Sequence, residues 1–405
     1  MITQISLKNF KSIKEADLKL GPFNLFIGTN ASGKSNFFDA LRFLQGIGWG
    51  LSIDEILNGR PRTGTGSEWD GVRGGSGFLR WKGAQWQKDK GDRVRIEAAI
   101  ALKNKTGDTE NLRYGIEIHT GRNLVSDEFL LNEANVGWDT RPVENDPISP
   151  GIKVQYRGRE IGLDKHRPLI QEMQDSFQFE ADDEERAARV MRSLGNSQRV
   201  DPQPGILRQY APLVNVERMG EHGENFAALV AQIDSDAKLQ EGYLGWLQEL
   251  RPAEVGGIKI FRGALNEPLF GLTENGQEFP APVLSDGTLR FAAICAAFFQ
   301  PSMPEVLMLE EIENGIHAGR LRLLLELIKS RAGATQTQVM ATSHSALMLD
   351  WLAPEDYQYV FLCSRDAETG VTKITPLTEV PHFLEAVKTT PASQLISEGW
   401  MEAAL

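Results

Sequence analysis

The chain opens with alternating apolar and polar positions, and a short continuous apolar run follows. Ile5 and Leu7 share one face of the first segment, which predicts a strand, and Phe23–Ile27 predicts a second, buried strand. Apolar residues then recur at helical spacing over 36–44. A strand, a loop and a helix in this order predict the start of an α/β domain.

Two more patterns extend this picture. Segments 94–100 and 112–118 alternate and predict an antiparallel hairpin with Gly107 and Asp108 in its turn region. Residues 140–255 are predicted to be mostly helical. From about residue 281 a helix, a strand, a helix and a strand follow one another, which indicates a return to the α/β sheet.

Composition excludes some classes of protein. The 405 residues carry a formal net charge of −12, which argues against a constitutive nucleic-acid coat. No apolar run reaches the roughly 18–20 residues that span a bilayer, and the first residues lack the order of a signal peptide. We therefore expect a cytoplasmic protein that does not enter the membrane. Cys295 and Cys363 lie in apolar runs, which favours buried thiols over a disulfide or zinc site.

One stretch is basic although the chain as a whole has a negative net charge. Residues 60–95 hold nine Lys or Arg against four acids, together with Trp69, Trp81 and Trp86. Basic and aromatic side chains in one stretch are typical of nucleic-acid contact. A solvated loop beside a β-rich segment explains the same composition, so both interpretations stay open here.

The loop after the second strand fits the pattern G-x-x-x-x-G-K-S and leads into a helix, which is the context this phosphate-binding motif requires. Glycines let the backbone approach a phosphate closely, and the amide groups at the helix start point at it. Lys34 is predicted to reach the β- and γ-phosphates, and Ser35 to bind Mg²⁺. The candidate nucleotide-binding residues are Gly28, Thr29, Asn30, Ala31, Ser32, Gly33, Lys34, Ser35 and Asn36.

A second phosphate-binding candidate precedes a helix at 289–294. Leu284–Thr288 reads L-S-D-G-T, which has the form of the ABC signature L-S-G-G-Q. Its candidate residues for a γ-phosphate are Ser285, Asp286, Gly287 and Thr288. An ordinary N-capped turn has the same sequence features, so the motif by itself does not decide.

Two carboxylates close the apolar run 306–309, which is the Walker B pattern. Glu310 is predicted to hold Mg²⁺ and Glu311 to polarise the attacking water. Glu310 stands where most P-loop enzymes have Asp. His344 follows the next strand, where a histidine that senses the γ-phosphate belongs. The four motifs occur in the order that an ATPase requires, each at the end of a strand or helix.

These motifs resemble those of the SMC, RecF and OLD-like ATPases. Segment 28–41 resembles the SMC/RecF form of Walker A, and segments 284–290, 310–317 and 342–345 resemble the OLD-like branch of AAA-family ATPases. That branch tolerates Glu at the first Walker B position. It has prolines where this chain has Ile312 and Ala318. The resemblance covers 1–45 and about 205–405.

The resemblance implies an α/β fold: an ABC-type P-loop NTPase core with an antiparallel β-lobe and a helical insertion. The predicted segments are 1–58 and 256–405 for the core, 59–135 for the β-lobe and 136–255 for the insertion. It also implies a head-to-tail dimer that closes ATP between the P-loop of one copy and Ser285–Thr288 of the other. Glu313–Gly315 would then lie at the subunit boundary.

The stretch after His344 is too short for the TOPRIM nuclease of OLD proteins, and Asp366 and Glu368 fit surface acids of a turn rather than metal ligands.

The leading hypothesis is an ATPase that serves as the sensor or assembly subunit of a bacterial anti-phage system, with a separately encoded nuclease or toxin as effector. The alternatives are a RecF-like protein that binds DNA through 60–95 in an ATP-dependent way, and an ATP-gated scaffold with little turnover.

Overall fold

The computed structural model describes residues 1–61, 69–81, 93–134, 137–139, 151–156, 159–164, 166–174, 179–250 and 254–401. The strands are β1 Ile2–Phe10, β2 Ile13–Lys19, β3 Phe23–Ile27, β4 Arg93–Lys103, β5 Thr109–His119, β6 Leu124–Asn132, β7 Gly137–Asp139, β8 Gly151–Tyr156, β9 Arg159–Asp164, β10 Ser197–Val200, β11 Val255–Arg262, β12 Pro268–Glu274, β13 Gln277–Pro280, β14 Val306–Leu309, β15 Gln338–Ser343, β16 Val360–Arg365 and β17 Thr372–Pro376. The helices are α1 Lys34–Gly48, α2 Ile53–Asn58, α3 Leu169–Glu172, α4 Ala181–Gly195, α5 Pro204–Leu207, α6 Phe226–Ser235, α7 Ala237–Leu250, α8 Asp286–Ala297, α9 Leu321–Thr335, α10 Phe383–Ala386 and α11 Ala392–Ser397.

The chain forms two compact units, and each is built from several segments. One comprises Met1–Gly21, Gly28–Ser197 and Phe361–Pro376; the other comprises Pro22–Ile27, Gln198–Val360 and Leu377–Leu405. We call them the P-loop unit and the Walker B unit after the motifs they carry. The predicted boundaries at 58, 135 and 255 remain predictions.

An antiparallel sheet dominates the P-loop unit. β1 pairs with β2 on one side and β4 on the other, and β4, β5, β6 and β7 continue as neighbours. The predicted hairpin is confirmed, since Val94 pairs with Ile118 and Ile100 with Leu112. Its apolar side chains lie in the core because the two-residue period of a strand places them on one face.

A parallel sheet forms the centre of the Walker B unit, with β14, β15 and β3 side by side and β10 next to β14. Every residue of β14 and β3 is buried, as continuous apolar runs in parallel sheets predict. Glu310 and Glu311 directly follow β14, and His344 directly follows β15. Because the carboxyl ends of neighbouring parallel strands meet at one edge of the sheet, these three residues emerge at the same edge.

The region from 136 to 255 is less helical than predicted. Helices α4, α6 and α7 lie there, but β8 and β9 pair as an antiparallel hairpin, Gly151 with Asp164 and Tyr156 with Arg159. The sequence does contain the signal, because apolar residues alternate at 152, 154 and 156 before the Arg-Gly pair at 157–158.

The expectations for the two cysteines and for the turn at Asp366 are confirmed. Both cysteines are buried free thiols, and burial raises the pKa of Cys363 to about 12. Asp366 accepts hydrogen bonds within a turn that closes from the Gly370 amide to its carbonyl. Within the described residues, no helix is long and apolar enough to cross a membrane.

Candidate functional site

The P-loop connects β3 to α1 through backbone that only glycine can supply. Gly33 lies at φ 101°, where L side chains are strained. A Cβ there would lie 2.2 Å from Thr372 Oγ1, and a Cβ on Gly28 would lie 2.2 Å from the carbonyl oxygen of Cys363. Packing therefore requires both motif glycines, and the backbone conformation also requires glycine at position 33.

Polar groups concentrate inside this loop. Lys34 is 5% exposed, and its Nζ donates to the carbonyls of Gly28 at 2.7 Å and Thr29 at 2.9 Å. Ser32 is 1% exposed, and its hydroxyl has no hydrogen-bond partner among the described residues. A buried ammonium and an orphaned hydroxyl at the start of a 15-residue helix fit a phosphate. Three predicted phosphate-binding residues are exposed on the loop: Thr29, Asn30 and Ala31.

The start of α1 is held by an ion cluster, Lys11, Asp39 and Arg73, which the sequence analysis did not single out as a group. Asp39 is 2% exposed and accepts from Lys11 Nζ and from Arg73 Nε at 2.9 Å. Arg73 also donates to the Ser35 carbonyl at 2.6 Å. Burial lowers the pKa of Lys11, against the opposing effect of Asp39. This basic clamp, as we call the three residues, adds net positive charge beside the P-loop.

A cleft of about 460 Å³ borders the basic clamp. Asn36, the last predicted nucleotide-binding residue of this loop, lines it and donates to Ser12 Oγ at 2.6 Å. The cleft is basic and partly aromatic, and its lining is completed by Lys11, Ser12, Arg73, Gly74, Phe78, Arg80, Trp81, Arg365, Thr369 and Gly370. Such a lining suits a molecule that combines an aromatic ring with phosphate.

Three arginines of the basic stretch 60–95 lie beside carboxylates. Arg60 lies 3.7 Å from Glu55, Arg93 3.1 Å from Glu117, and Arg95 2.6 Å from Glu97. Positive charges already paired with carboxylates attract phosphate weakly. Residues 62–68 and 82–92, including Trp86, lie outside the described residues.

Glu310 and Glu311 follow β14 directly but have different environments. Glu310 is 8% exposed, and its Oε1 lies 3.0 Å from Arg199 Nη2. Glu311 is in the left-handed region at φ 47°, and its amide donates to Thr342 Oγ1 at 3.0 Å. A non-glycine residue held at positive φ costs about 1 kcal/mol or more, which is typical of functional positions. The turn exposes the Glu311 carboxylate, whose side chain is 49% exposed.

His344 meets this carboxylate at the end of β15. Its Nε2 lies 3.3 Å from Glu311 Oε1, and its amide donates to Glu313 Oε1. Asn314 Nδ2 lies 3.4 Å from Glu311 Oε2. The predicted catalytic pair, Glu311 and His344, is thus brought together in the structure.

Arg290, on α8, connects this helix to the backbone of both Walker B glutamates. It is 4% exposed, and its Nη2 donates to the carbonyls of Glu310 at 3.4 Å and Glu311 at 3.1 Å. Its Nη1 donates to the Pro202 carbonyl at 2.6 Å. The arginine therefore fixes the backbone of the turn that carries Glu311. Nothing in the local sequence marks this role, because all its partners are distant along the chain.

The signature segment begins α8 with a side-chain cap. Ser285 is exposed, and its Oγ accepts from the Thr288 amide at 3.2 Å. Asp286 pairs with Arg208, and Gly287 packs against Gly315, where a Cβ would lie 2.2 Å from the Gly315 carbonyl. The predicted turn at Ser285 is confirmed, and its hydroxyl lies at the surface.

A divalent metal fits the residue types proposed to hold it. Carboxylate and hydroxyl oxygens are hard ligands, and Mg²⁺ takes few of them from protein because phosphates and water fill its shell. Glu310 offers a carboxylate in the Walker B unit, and Ser35 offers a hydroxyl in the P-loop unit. The described residues contain no cluster of three or more His, Cys, Asp or Glu that would form a metal cage. The carboxylate of Glu310 is shared with Arg199, which orients it.

Two family models match parts of the chain. Residues 1–55 match “AAA ATPase domain”, and residues 221–350 match “AAA domain, putative AbiEii toxin, Type IV TA system”. The DNA replication and repair protein RecF of Streptococcus agalactiae is 48% identical over 44 residues, which are 11% of this chain and 12% of RecF. The chain thus matches only a small part of RecF.

Solved structures match over most of the chain. An Smc head bound to the C-winged helix domain of ScpA has a TM-score of 0.52 at 13% identity, covering 92% of this chain and 97% of that one. An Smc head domain from Pyrococcus furiosus bound to the C-terminal domain of ScpA has a TM-score of 0.52 at 12% identity, covering 96% and 99%. At such identities the likeness establishes the fold.

The fold and the motifs together define an α/β protein with an ABC-type P-loop core, as predicted. Within that class the chain resembles the SMC/RecF-like AAA ATPases, which confirms the SMC/RecF part of the resemblance drawn from its sequence.

Proposed function

We propose that the protein binds and hydrolyses ATP. The observation that carries this proposal is the P-loop, with a buried Lys34, a partnerless Ser32 hydroxyl and two glycines that no other residue can replace. The basic clamp adds charge complementary to a triphosphate, and the neighbouring cleft has the chemistry to take an aromatic base.

In this proposal each site residue has a separate task. Lys34 neutralises the β- and γ-phosphates while the loop amides orient them. Ser35 and Glu310 would hold Mg²⁺, which would neutralise the charge that develops on the phosphates. Glu311 polarises the attacking water, and His344, 3.3 Å from it, contacts the γ-phosphate.

We further propose that ATP closes a head-to-tail dimer. The exposed Ser285 at the start of α8 supports this, because a helix start at the surface is accessible to a phosphate carried by a second copy. ATP contacts both copies only in the closed state, so its binding shifts the equilibrium towards closure, and hydrolysis resets it.

Release of phosphate from ATP in the presence of Mg²⁺ tests the activity. The wild-type protein should turn over, and the Lys34→Ala variant should lose ATP binding and turnover together. The Lys19→Ala variant, which removes an exposed lysine of β2, is the matched control. ATP binding without turnover in the wild type would favour the ATP-gated scaffold, and equal turnover in all three proteins would refute the proposed site.

A role in anti-phage defence, with a separately encoded effector, is the biological context we propose. It is supported by the resemblance of the motifs to the OLD-like branch and by the matched model that names a toxin of a type IV TA system. Phage plating on cells that express the chain with and without its neighbouring genes tests it. Protection should require an intact Lys34 and a neighbouring gene.

A further inference from the structure

A second cleft, of about 240 Å³, opens where α8 begins. Ser285 and Thr288 of α8 line one part of it, and Gly315, His317 and Arg320 of the loop after β14 line another. We call it the signature cleft. All its lining residues belong to the Walker B unit.

Backbone packing sets the width of the signature cleft. Gly287 approaches Gly315 so closely that a Cβ would lie 2.2 Å from the Gly315 carbonyl, and Gly315 itself is at φ 71°. This contact keeps the loop with His317 and Arg320 beside the capped start of α8. Any side chain at Gly287 would push the two apart.

The signature cleft carries positive charge close to two helix N-termini, where negative charge is normally favoured. The N-terminus of α8 and that of α9, both helices of more than ten residues, begin near it. Arg320 occupies the N-cap position of α9, and the first turn of α9 contains no acid. A cation at the positive end of a helix is unfavourable, and a bound anion would relieve this repulsion.

Carboxylates do not cancel this charge. Asp286, in the first turn of α8, would repel a phosphate, but it is paired with Arg208 at 2.5 Å. The guanidinium of Arg320 has no ion pair or hydrogen bond to any other described residue. The signature cleft therefore keeps a net positive charge, and its source is Arg320.

We propose that Arg320 binds the terminal phosphate of an ATP held in the P-loop of a second copy of this chain. The inference rests on the proposed ATP-closed dimer and adds to it a charged contact in trans. A guanidinium offers two parallel N–H donors to phosphate oxygens, and Ser285 and the α8 amides would complete the phosphate site. Among the described residues that line the signature cleft, Arg320 is the only lysine or arginine.

Mixing two inactive variants tests whether Arg320 acts in trans. The Arg320→Ala variant should lose about 100-fold in turnover, a typical cost of removing one charge-stabilising donor. Its affinity for a fluorescent ATP analogue should match that of the wild-type monomer, because its own P-loop is intact. Mixed one to one with Lys34→Ala, it should recover about a quarter of wild-type turnover, since each mixed dimer then has one intact site.

Arg322 provides the matched control, because it is exposed on the same helix and paired with Glu326 at 2.7 Å. Arg322→Ala should behave as wild type, and Arg320→Lys should retain part of the turnover. Wild-type turnover in Arg320→Ala, or no recovery in the mixture, would overturn the proposal. If Lys34→Ala binds the analogue as wild type does, the proposed function itself fails, which separates the two outcomes.

Discussion

A buried carboxylate in the P-loop unit predicts a measurable pH dependence of stability. Glu128 of β6 is 0% exposed and accepts from Tyr114 Oη at 2.9 Å and from the Ile170 amide at 3.1 Å, and it also accepts from the Leu169 amide. It thereby joins the start of α3 to the antiparallel sheet. Burial raises the pKa of Glu128 from 4.5 to about 7, and these hydrogen bonds only partly oppose the rise.

The sign of the effect follows from where the proton is held. Between pH 4.5 and about 7 the folded protein keeps the proton on Glu128 while the unfolded chain releases it. Stability from this group is therefore fully present below pH 4.5 and is lost as pH rises through that window. The difference between a pKa of 4.5 and one of about 7 corresponds to roughly 3 kcal/mol.

The Glu128→Gln variant removes the titration and keeps an acceptor oxygen at the site. Urea unfolding followed by tryptophan fluorescence at pH 5, 6, 7 and 8 should show the wild type losing roughly 2.5 kcal/mol more than the variant across this range. Glu133→Gln, an exposed carboxylate after β6, is the control and should keep the wild-type dependence. If the free energy of unfolding depended on pH in the same way in the wild type and in Glu128→Gln, the predicted titration of Glu128 would be refuted.

Three further predictions concern the candidate site. Gly33→Ala should weaken binding of a fluorescent ATP analogue about 10-fold or more, because its Cβ would lie 2.2 Å from Thr372 Oγ1 at an unfavourable φ; unchanged affinity in a titration would contradict this. Arg290→Met should lower kcat about 10-fold and leave the KM for ATP nearly unchanged, because Arg290 holds the Glu311 carbonyl and not the P-loop; a rise in KM alone would argue against it. Glu311→Gln should reduce phosphate release about 100-fold while filter binding still detects retained ATP, and turnover near the wild-type rate would remove Glu311 from the reaction.

The contiguous parts of the site could be predicted from the sequence. The P-loop lies between β3 and α1, Ser285 caps α8, and Glu311 and His344 come together after neighbouring strands. Each of these depends on residues close together in the chain or on the shared edge of a parallel sheet. Such local patterns are visible without coordinates.

The residues that hold the site together could not be predicted in the same way. Arg290 binds carbonyls twenty residues away, Arg199 pairs with Glu310, and Arg73 reaches Asp39. Arginines with long-range partners look like surface charge in a sequence. The charge of the signature cleft could not be predicted either, because the pairing of Asp286 with Arg208 is visible only in the fold.

The central claim is that ATP joins two copies of this chain, and the mass of the Glu311→Gln variant in solution tests it most directly. Light scattering coupled to gel filtration should give the mass of one chain without nucleotide and of two chains with ATP and Mg²⁺. Adding Lys34→Ala to the variant should abolish the change. A mass that is the same with and without ATP would contradict the account.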